Sequence, residues 1–221
     1  MIEATYIDHM GNDLTIVNSA RVSFGKKSDW IQRVYSGEPQ LLSNKDIKLI
    51  HYLAKHNHKS PFNHVFTTFH VKAPIFVARQ LQKHEYMPWN EISRRYVDSD
   101  PEFYTPPIWR GRSADKKQGS EGEVNLSSKG NAASHSYLHA LQSYATLLDD
   151  GVAPEQARMV LPQSMMTEWY WSGSLYAFAK MCGLRLQDDA QYETRLVAEQ
   201  IEDIMIKLYP VSWEALRMYA E

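Results

Sequence analysis

A change of hydrophobic period at Pro74 constrains the fold more than any other feature of the sequence. Residues 65–72, VFTTFHVK, alternate with a period of two, which is typical of a β-strand. Pro74 suits the first turn of a helix, and the segment APIFVARQLQKH around it continues at helical spacing. Four residues of this segment share one helix face: Phe76, Arg79, Gln80 and Lys83. The sequence therefore predicts a strand that leads into a helix whose polar side chains are directed at one site.

The remaining segments predict further strands, helices and two long loops. A strand precedes the turn at Gly11–Asp13, and a short strand or helix follows that turn. Apolar residues at helical spacing predict helices at 44 to about 58, 137–148, 154–161, 164–182 and 190–208. Polar, glycine-containing segments predict loops at 25–44 and 110–134, and the second of these is either structural filler or functional.

Length and charge exclude several classes of protein. A chain of 221 residues favours one domain spanning 1–221, with one sizeable core. Its 24 Lys and Arg residues nearly balance its 26 Asp and Glu residues, so no general basic surface is expected to bind nucleic acid. No apolar run approaches the roughly 18 residues that cross a bilayer. The N-terminal residues do not resemble a signal peptide, and we expect a cytoplasmic protein without membrane contact.

The only cysteine, Cys182, cannot form an internal disulfide, which fits a reducing compartment. It lies in the predicted helix at 164–182, where a small buried hydrophobic residue is favoured over a reactive thiol. In the same predicted helix, Trp169, Tyr170 and Trp171 favour core packing over stacking on a ligand, because consecutive helical positions point in different directions. Five histidines between His51 and His70 lack a recognised ligand spacing, so no metal site is expected.

The stretch KHEYMPWNEISRRY at 83–96 has the strongest functional pattern in the chain. If its second half is extended, Glu91, Ser93 and Arg95 lie on one side. Facing Gln80 and Lys83 across a turn, they supply the cation, donor and acceptor groups that bind a small phosphorylated ligand. The alternative is a polar strand edge with a surface ion pair, and the stretch taken alone favours this alternative.

This stretch resembles the signature of the flavin-dependent thymidylate synthases, R-H-R-x-x-S-x-N-E-x-S-x-R-Y. The positions that correspond to the signature are Lys83, His84, Glu85, Pro88, Asn90, Glu91, Ser93, Arg95 and Tyr96. Five further segments resemble the family in the same order along the chain, at 10–24, 55–80, 102–106, 151–162 and 184–193. The resemblance therefore covers nearly the whole chain.

The resemblance implies an α+β fold, with a twisted, mostly antiparallel sheet flanked by helices, assembled as a homotetramer. It implies reductive C5-methylation of deoxyuridylate (dUMP), with FAD as hydride carrier. Methylenetetrahydrofolate would be the carbon donor and NADPH the reductant. The family's active sites draw residues from several subunits, so we expect the same here.

The resemblance also implies roles for individual residues. Arg185 corresponds to the arginine that polarises the uracil ring, and an always-charged guanidinium suits this role because it takes no part in proton exchange. The positions that would bind dUMP are Gln80, Lys83, Glu91, Ser93, Arg94, Arg95, Arg158 and Arg185. The positions that would bind FAD are His58, Ser60, Lys83, His84, Glu85, Glu91, Ser174, Tyr176 and Lys180.

The departures from the family pattern fall mainly on the flavin side. The first and third signature positions are Lys83 and Glu85 instead of arginines, and Glu85 reverses the charge. Ser174, Tyr176 and Lys180 replace the family's Asn, Arg and Asn. Unless Lys180, Lys83 or a neighbouring subunit compensates, Glu85 would repel the flavin pyrophosphate.

Two alternatives to thymidylate synthesis stay open. One is a relative that methylates or hydroxymethylates another pyrimidine nucleotide, such as deoxycytidylate. The other is a nucleotide-binding protein that has lost flavin chemistry, which the changes at Glu85, Pro88 and Tyr176 favour.

Overall fold

An antiparallel four-stranded sheet with the order β1-β2-β6-β3 forms the centre of the fold. The computed structural model describes residues 1–31, 41–97, 99–114, 119–126 and 132–219. The strands of the central sheet are β1 (Glu3–Met10), β2 (Phe66–Pro74), β3 (Trp89–Glu91) and β6 (Met166–Ser174). A separate hairpin pairs β4 (Arg110–Arg112) with β5 (Ser120–Glu123). The helices are α1 (Asp13–Arg21), α2 (Asn44–Lys55), α3 (Ile75–Leu81), α4 (Ala132–Asp149), α5 (Pro154–Ala157), α6 (Leu175–Arg185), α7 (Tyr192–Leu208) and α8 (Pro210–Met218). The α+β architecture with an antiparallel sheet is therefore confirmed.

The sheet buries one face against helices. On β2, Phe69 and Val71 are fully buried, and on β6 the rings of Trp169 and Trp171 are 1% exposed. The intervening side chains, such as His70 and Tyr170, are half-buried or exposed. This alternation follows from the two-residue period of a strand, and it directs the large aromatic side chains into the core.

The predicted helix at 164–182 is wrong in its first half. Residues 166–174 form β6, which pairs with β2 in unbroken register from Phe66↔Ser174 to Pro74↔Met166. The helix begins only at Leu175, because the Ser174 hydroxyl caps its first turn by accepting from the Ala177 N–H. Trp169 and Trp171 do pack in the core, but they do so because they share one face of a strand.

Several other boundaries differ from the sequence prediction. The loop predicted at 110–134 contains the β4–β5 hairpin, and α4 begins at Ala132. Helix α3 ends at Leu81, before Lys83. Ser43, rather than Asn44, caps α2. Residues 32–40 of the loop predicted at 25–44 lie outside the described residues. The predictions for 137–148, 190–208 and the end of α2 agree with the structure.

Cys182 is fully buried, as predicted, and burial raises the pKa of its thiol far above the ordinary value. Burial and a raised pKa both argue against a nucleophilic role for this cysteine. Within the described residues, no helix combines the length and the hydrophobicity that crossing a bilayer requires.

Asp13 joins the first helix to the last one. Its carboxylate is 4% exposed and accepts hydrogen bonds from the N–H groups of Val211 (3.1 Å) and Ser212 (3.0 Å), in the first turn of α8. Burial raises the pKa of Asp13, while the hydrogen bonds from Ser212 and Val211 oppose that rise. The carboxylate thus caps a helix almost 200 positions away in the chain.

We expect Asp13→Ala to lower the free energy of unfolding by about 2–3 kcal/mol, because two N–H groups in the first turn of α8 lose their acceptor. Asp13→Asn keeps one acceptor oxygen and should lower the free energy of unfolding by about half as much. Urea unfolding followed by circular dichroism measures both variants, with exposed Asp100→Ala as the control. Equal stability of the Asp13→Ala variant and the wild type would refute this role.

Candidate active site

A cationic cavity of about 700 Å³ opens beside the ends of α3 and α6. Among the described residues, four cationic side chains line it, Lys59, Lys83, Lys180 and Arg185, against the single carboxylate of Glu85. Tyr86 and Tyr176 add two aromatic rings to the lining, and Lys59 Nζ lies 5.4 Å from the centroid of the Tyr176 ring. Positive charge beside flat aromatic surface suits a ligand that combines phosphate groups with a ring.

Arg185 is held by two acceptors at the edge of this cavity. Its Nε donates to His84 Nε2 (3.1 Å), and its Nη2 donates to the main-chain carbonyl of Gln80 (3.1 Å). The guanidinium is half-buried, and burial lowers the pKa of Arg185 from its ordinary value. Two contacts from α3 and the turn after it therefore fix the orientation of the side chain at the end of α6.

His84 is neutral in this arrangement. Burial, then Arg185 and Lys180, lower the pKa of His84 to about 4. Since Nε2 accepts from Arg185, the ring proton is on Nδ1. A protonated His84 could not accept this bond, so acid conditions would release one of the two contacts that orient Arg185.

This pKa predicts a loss of stability in acid. An unfolded histidine takes up its proton near pH 6.5, so between pH 6.5 and 4 the unfolded state binds more protons than the folded state. We expect His84 to contribute a fall of about 1–2 kcal/mol in the free energy of unfolding across this window, after allowance for partial solvent exposure. Urea unfolding at pH 7 and pH 4 should show that His84→Gln removes this fall. The exposed control His56→Gln should keep it. The same pH dependence in the His84→Gln variant would contradict the assignment.

Six of the residues predicted to bind FAD line the cationic cavity: Lys83, His84, Glu85, Ser174, Tyr176 and Lys180. Ser174 donates to Asn63 Oδ1 (2.7 Å), and Tyr176 donates to Asn57 Oδ1 (3.3 Å). His58 and Ser60 flank Lys59 in sequence but are not part of the lining. Sequence reasoning missed Lys59 and Asn63, although both lie in a segment that resembles the family.

The residues predicted to bind dUMP do not come together in one chain. Lys83 and Arg185 line the cationic cavity, and Gln80 contacts Arg185 through its main chain. Glu91 is held at the sheet edge, where it accepts from the hydroxyl of Thr167 (2.7 Å) and from Trp89 Nε1 (3.1 Å).

Three of the four arginines predicted to bind dUMP, Arg94, Arg95 and Arg158, are not part of the lining of the cationic cavity. Arg95 pairs with the Glu155 carboxylate (3.5 Å), and Arg158 donates to the Glu155 carbonyl (3.2 Å). Arg94 donates to the Ser99 carbonyl, and the Ser93 hydroxyl accepts from the Arg95 N–H (3.3 Å). The extended conformation considered for 90–96 is confirmed only as far as Glu91, because 94–96 form a turn. The prediction that Ser93 and Arg95 face Lys83 across a turn is therefore wrong for residues of the same chain.

A second, aromatic cavity of about 540 Å³ lies between α3, α4, α7 and the hairpin, and sequence reasoning did not anticipate it. Phe76, Tyr104, Trp109 and Tyr137 contribute aromatic rings to its lining. The single helix face predicted for Phe76, Arg79, Gln80 and Lys83 is wrong, because α3 ends at Leu81: Phe76 lines the aromatic cavity and Lys83 lines the cationic cavity. Among the described residues, no group of three or more His, Cys, Asp or Glu side chains has an arrangement that could hold a metal ion.

Comparisons with known proteins agree on one family. The model of the family described as "Thymidylate synthase complementing protein" matches residues 5–211. A flavin-dependent thymidylate synthase of Thermus thermophilus is 40% identical over 209 residues, which cover 95% of this chain and 73% of the relative. One from Thermotoga neapolitana is 37% identical over 216 residues, covering 97% and 90%.

A solved structure with a similar fold is the UMP/dUMP methylase PolB from Streptomyces cacaoi. Its complex with 5-Br dUMP matches with a TM-score of 0.85 at 32% identity, covering 100% of this chain and 96% of that chain. Its complex with 5-Br UMP matches with a TM-score of 0.82 at 31% identity, covering 100% and 95%.

Proposed function

Because the chain belongs to the thymidylate synthase complementing protein family, we propose that it converts dUMP to dTMP by reductive C5-methylation. Methylenetetrahydrofolate would be the carbon donor and NADPH the reductant. The single observation that carries the proposal is the cationic cavity. In its lining, Lys83 and Arg185 lie beside residues that the sequence predicts to bind FAD. Bound FAD would supply the hydride for this reaction.

The side chains of the cationic cavity fit FAD despite the departures from the family pattern. The carboxylate of Glu85 disfavours a pyrophosphate, but Lys59, Lys83 and Lys180 outnumber it in the same lining. The Tyr176 ring is half-buried beside Lys59 and offers a face on which a flat ring can stack. We therefore assign Lys59, Lys83, Lys180 and Tyr176 to hold FAD, with Lys59 added to the set that the sequence predicted.

Arg185 is proposed to stabilise the pyrimidine ring. Its guanidinium carries a fixed charge, and two acceptors orient it before any ligand binds. A preoriented cation favours the negative charge that develops on a uracil ring when its C5 reacts, because no reorganisation is needed. His84 takes no proton in this role, since it must remain neutral to hold Arg185.

We propose that a neighbouring subunit of a homotetramer completes the nucleotide site. Arg95, Arg158 and Ser93 lie away from the cationic cavity of their own chain, so another copy would have to present them there. Arginine is well suited to such an intermolecular contact, because its planar fork binds a phosphate through two parallel hydrogen bonds.

Mixing two inactive variants tests the shared site. We expect Lys83→Ala and Arg95→Ala to abolish most activity separately. When the subunits of the two variants exchange in a mixture, activity should recover. Some sites then combine an intact Lys83 from one subunit with an intact Arg95 from another. Size-exclusion chromatography with light scattering measures the oligomeric state in parallel. A tetramer whose mixture stays as inactive as the two variants would contradict the shared site.

A titration of the flavin-stripped protein with FAD, in the presence of dUMP, tests the proposed function. Saturable changes in visible absorbance at micromolar FAD, followed by dTMP formation with methylenetetrahydrofolate and NADPH, are the expected result. Binding of dUMP without any FAD binding would instead support the nucleotide-binding relative. Absence of binding by both ligands would overturn the proposal.

UMP is a second candidate substrate. PolB, whose structure matches this chain over its whole length, is a UMP/dUMP methylase. A panel of dUMP, UMP and deoxycytidylate, with the methylated products quantified by mass spectrometry, separates the candidates. Methylation of UMP at a rate similar to that of dUMP would extend the substrate class to ribonucleotides.

A further inference from the structure

A chain of hydrogen-bonded side chains runs from the aromatic cavity to Gln80. Glu193 is 3% exposed, and its Oε1 accepts from Arg110 Nη2 (2.6 Å) and from the hydroxyl of Tyr104 (3.4 Å). Its Oε2 accepts from Gln191 Nε2 (3.2 Å). Gln80 Nε2 donates to Gln191 Oε1, and Gln80 Oε1 accepts from the hydroxyl of fully buried Thr194 (3.1 Å).

The Glu193 carboxylate sets the direction of every hydrogen bond in this series of side chains. An ionised carboxylate only accepts, so Gln191 must turn its NH₂ group toward Glu193. The carbonyl oxygen of Gln191 then faces Gln80, and Gln80 must present its own NH₂ group to that oxygen. Without the carboxylate, either amide could rotate by half a turn and exchange its donor for its acceptor.

Gln80 connects the cationic cavity with the aromatic cavity. Its main-chain carbonyl accepts from Arg185, which lines the cationic cavity, while its side chain contacts Gln191, which lines the aromatic cavity. The pairing of Gln80 with Gln191 and Thr194 also ties α3 to the start of α7. A change in the amide orientation at Gln191 is therefore transmitted to a residue assigned to the nucleotide.

We propose that Glu193 is a positioning residue for the nucleotide site: through Gln191 it fixes the orientation of the Gln80 amide. The inference rests on the proposed function, because it takes Gln80 as a nucleotide contact. The amide of Gln80 keeps one N–H and one oxygen lone pair beyond the bonds to Gln191 and Thr194. The hydrogen-bonded series Glu193–Gln191–Gln80, the relay, decides which side of the amide carries the free N–H and which carries the free lone pair.

Stability alone gives a weak reason for this buried charge. Replacing a buried ion pair such as Glu193 with Arg110 by packed apolar side chains is often neutral or stabilising. Apolar side chains cannot impose a donor and acceptor order on two neighbouring amides, whereas a carboxylate can. Arg110 also links the relay to the β4–β5 hairpin, where its Nε donates to the Ser120 hydroxyl (2.8 Å) and its guanidinium lies 4.6 Å from the centroid of the Tyr192 ring.

Isothermal titration of dUMP into the FAD-loaded protein, combined with steady-state kinetics, tests the relay. We expect Glu193→Gln and Gln191→Leu each to weaken dUMP binding by about tenfold. In kinetics, KM for dUMP should rise by a similar factor while kcat stays within about twofold, as expected when a contact made equally in the ground state and the transition state is lost. Glu199→Gln, which removes an exposed carboxylate from the same helix, should bind dUMP as the wild type does.

The double variant Glu193→Gln/Gln191→Leu separates positioning from folding. If Glu193 acts through Gln191, the double variant binds dUMP about as well as Gln191→Leu alone. Additive losses, or wild-type affinity in either single variant, would overturn the relay. The Gln191→Leu variant keeps the pair of Glu193 with Arg110, so it remains informative if Glu193→Gln folds poorly. Wild-type protein that fails to bind dUMP would instead overturn the proposed function and this inference with it.

Discussion

Replacing Arg185 by Met is expected to lower kcat/KM for dUMP methylation by about 10²-fold to 10³-fold, the range seen when one preoriented donor to a developing negative charge is removed. The reason is geometric as well as electrostatic. The guanidinium bonds to His84 Nε2 and the Gln80 carbonyl at the same time, and this arrangement fixes it beside the cationic cavity. Anaerobic flavin reduction and product formation, measured separately, locate the step that is lost.

Two controls accompany this substitution. Arg185→Lys keeps the charge but loses the planar fork, so it should recover only part of the activity. Arg217→Met removes an equally half-buried arginine, one that pairs with Glu202 (2.9 Å), and activity should stay within about twofold of the wild type. An Arg185→Met variant with wild-type kcat/KM would contradict the proposed role.

The second large effect is expected on FAD affinity. Lys180→Glu leaves three cations against two carboxylates in the cationic cavity, and it should raise the Kd for FAD by about 30-fold. Glu85→Arg removes the one carboxylate that the described part of the chain contributes to the lining and restores the family residue, so it should lower the Kd by about tenfold. Absorbance titrations at two salt concentrations measure both changes, which should shrink at high salt.

The charge-matched control for Lys180 is Lys207→Glu on α7, where the lysine is exposed and is not part of the cavity lining. Its Kd for FAD should equal that of the wild type. Unchanged FAD affinity in Lys180→Ala would show that Lys180 does not compensate for Glu85. Weaker binding in Glu85→Arg would show that the carboxylate contributes a contact rather than a repulsion.

The sequence was enough to predict the family and to group most of the residues that line the cationic cavity, because these residues are close together in short segments. Lys83, His84 and Glu85 are consecutive, and Ser174, Tyr176 and Lys180 lie within two helical turns. Local spacing is enough to group such residues. The resemblance implied its two neighbours, His58 and Ser60, but not Lys59, whose approach to the Tyr176 ring depends on the tertiary fold.

Two errors have a different physical origin. In β6, Trp169 and Trp171 alternate with polar or exposed side chains, which is a strand signal, but Leu175 and the apolar residues after it continue at helical spacing and hide the boundary. The separation of Arg95 from Lys83 was not predictable from spacing, since the turn after β3 directs the chain elsewhere. The aromatic cavity depends on Phe76, Tyr104 and Glu193, which only the tertiary fold brings together.

The pairing of β2 with β6 also has a consequence for biosynthesis. Phe66 pairs with Ser174 and Pro74 with Met166, so the central strands of the sheet are separated by about 100 positions in the chain. As the chain emerges from the ribosome, Phe69 and Val71 have no partner strand on this side until β6 has been made. Long-range strand pairs of this kind form slowly, and they leave apolar segments exposed to aggregation in the meantime. Chaperone binding to the nascent chain should therefore be strongest while residues 75–165 are being translated.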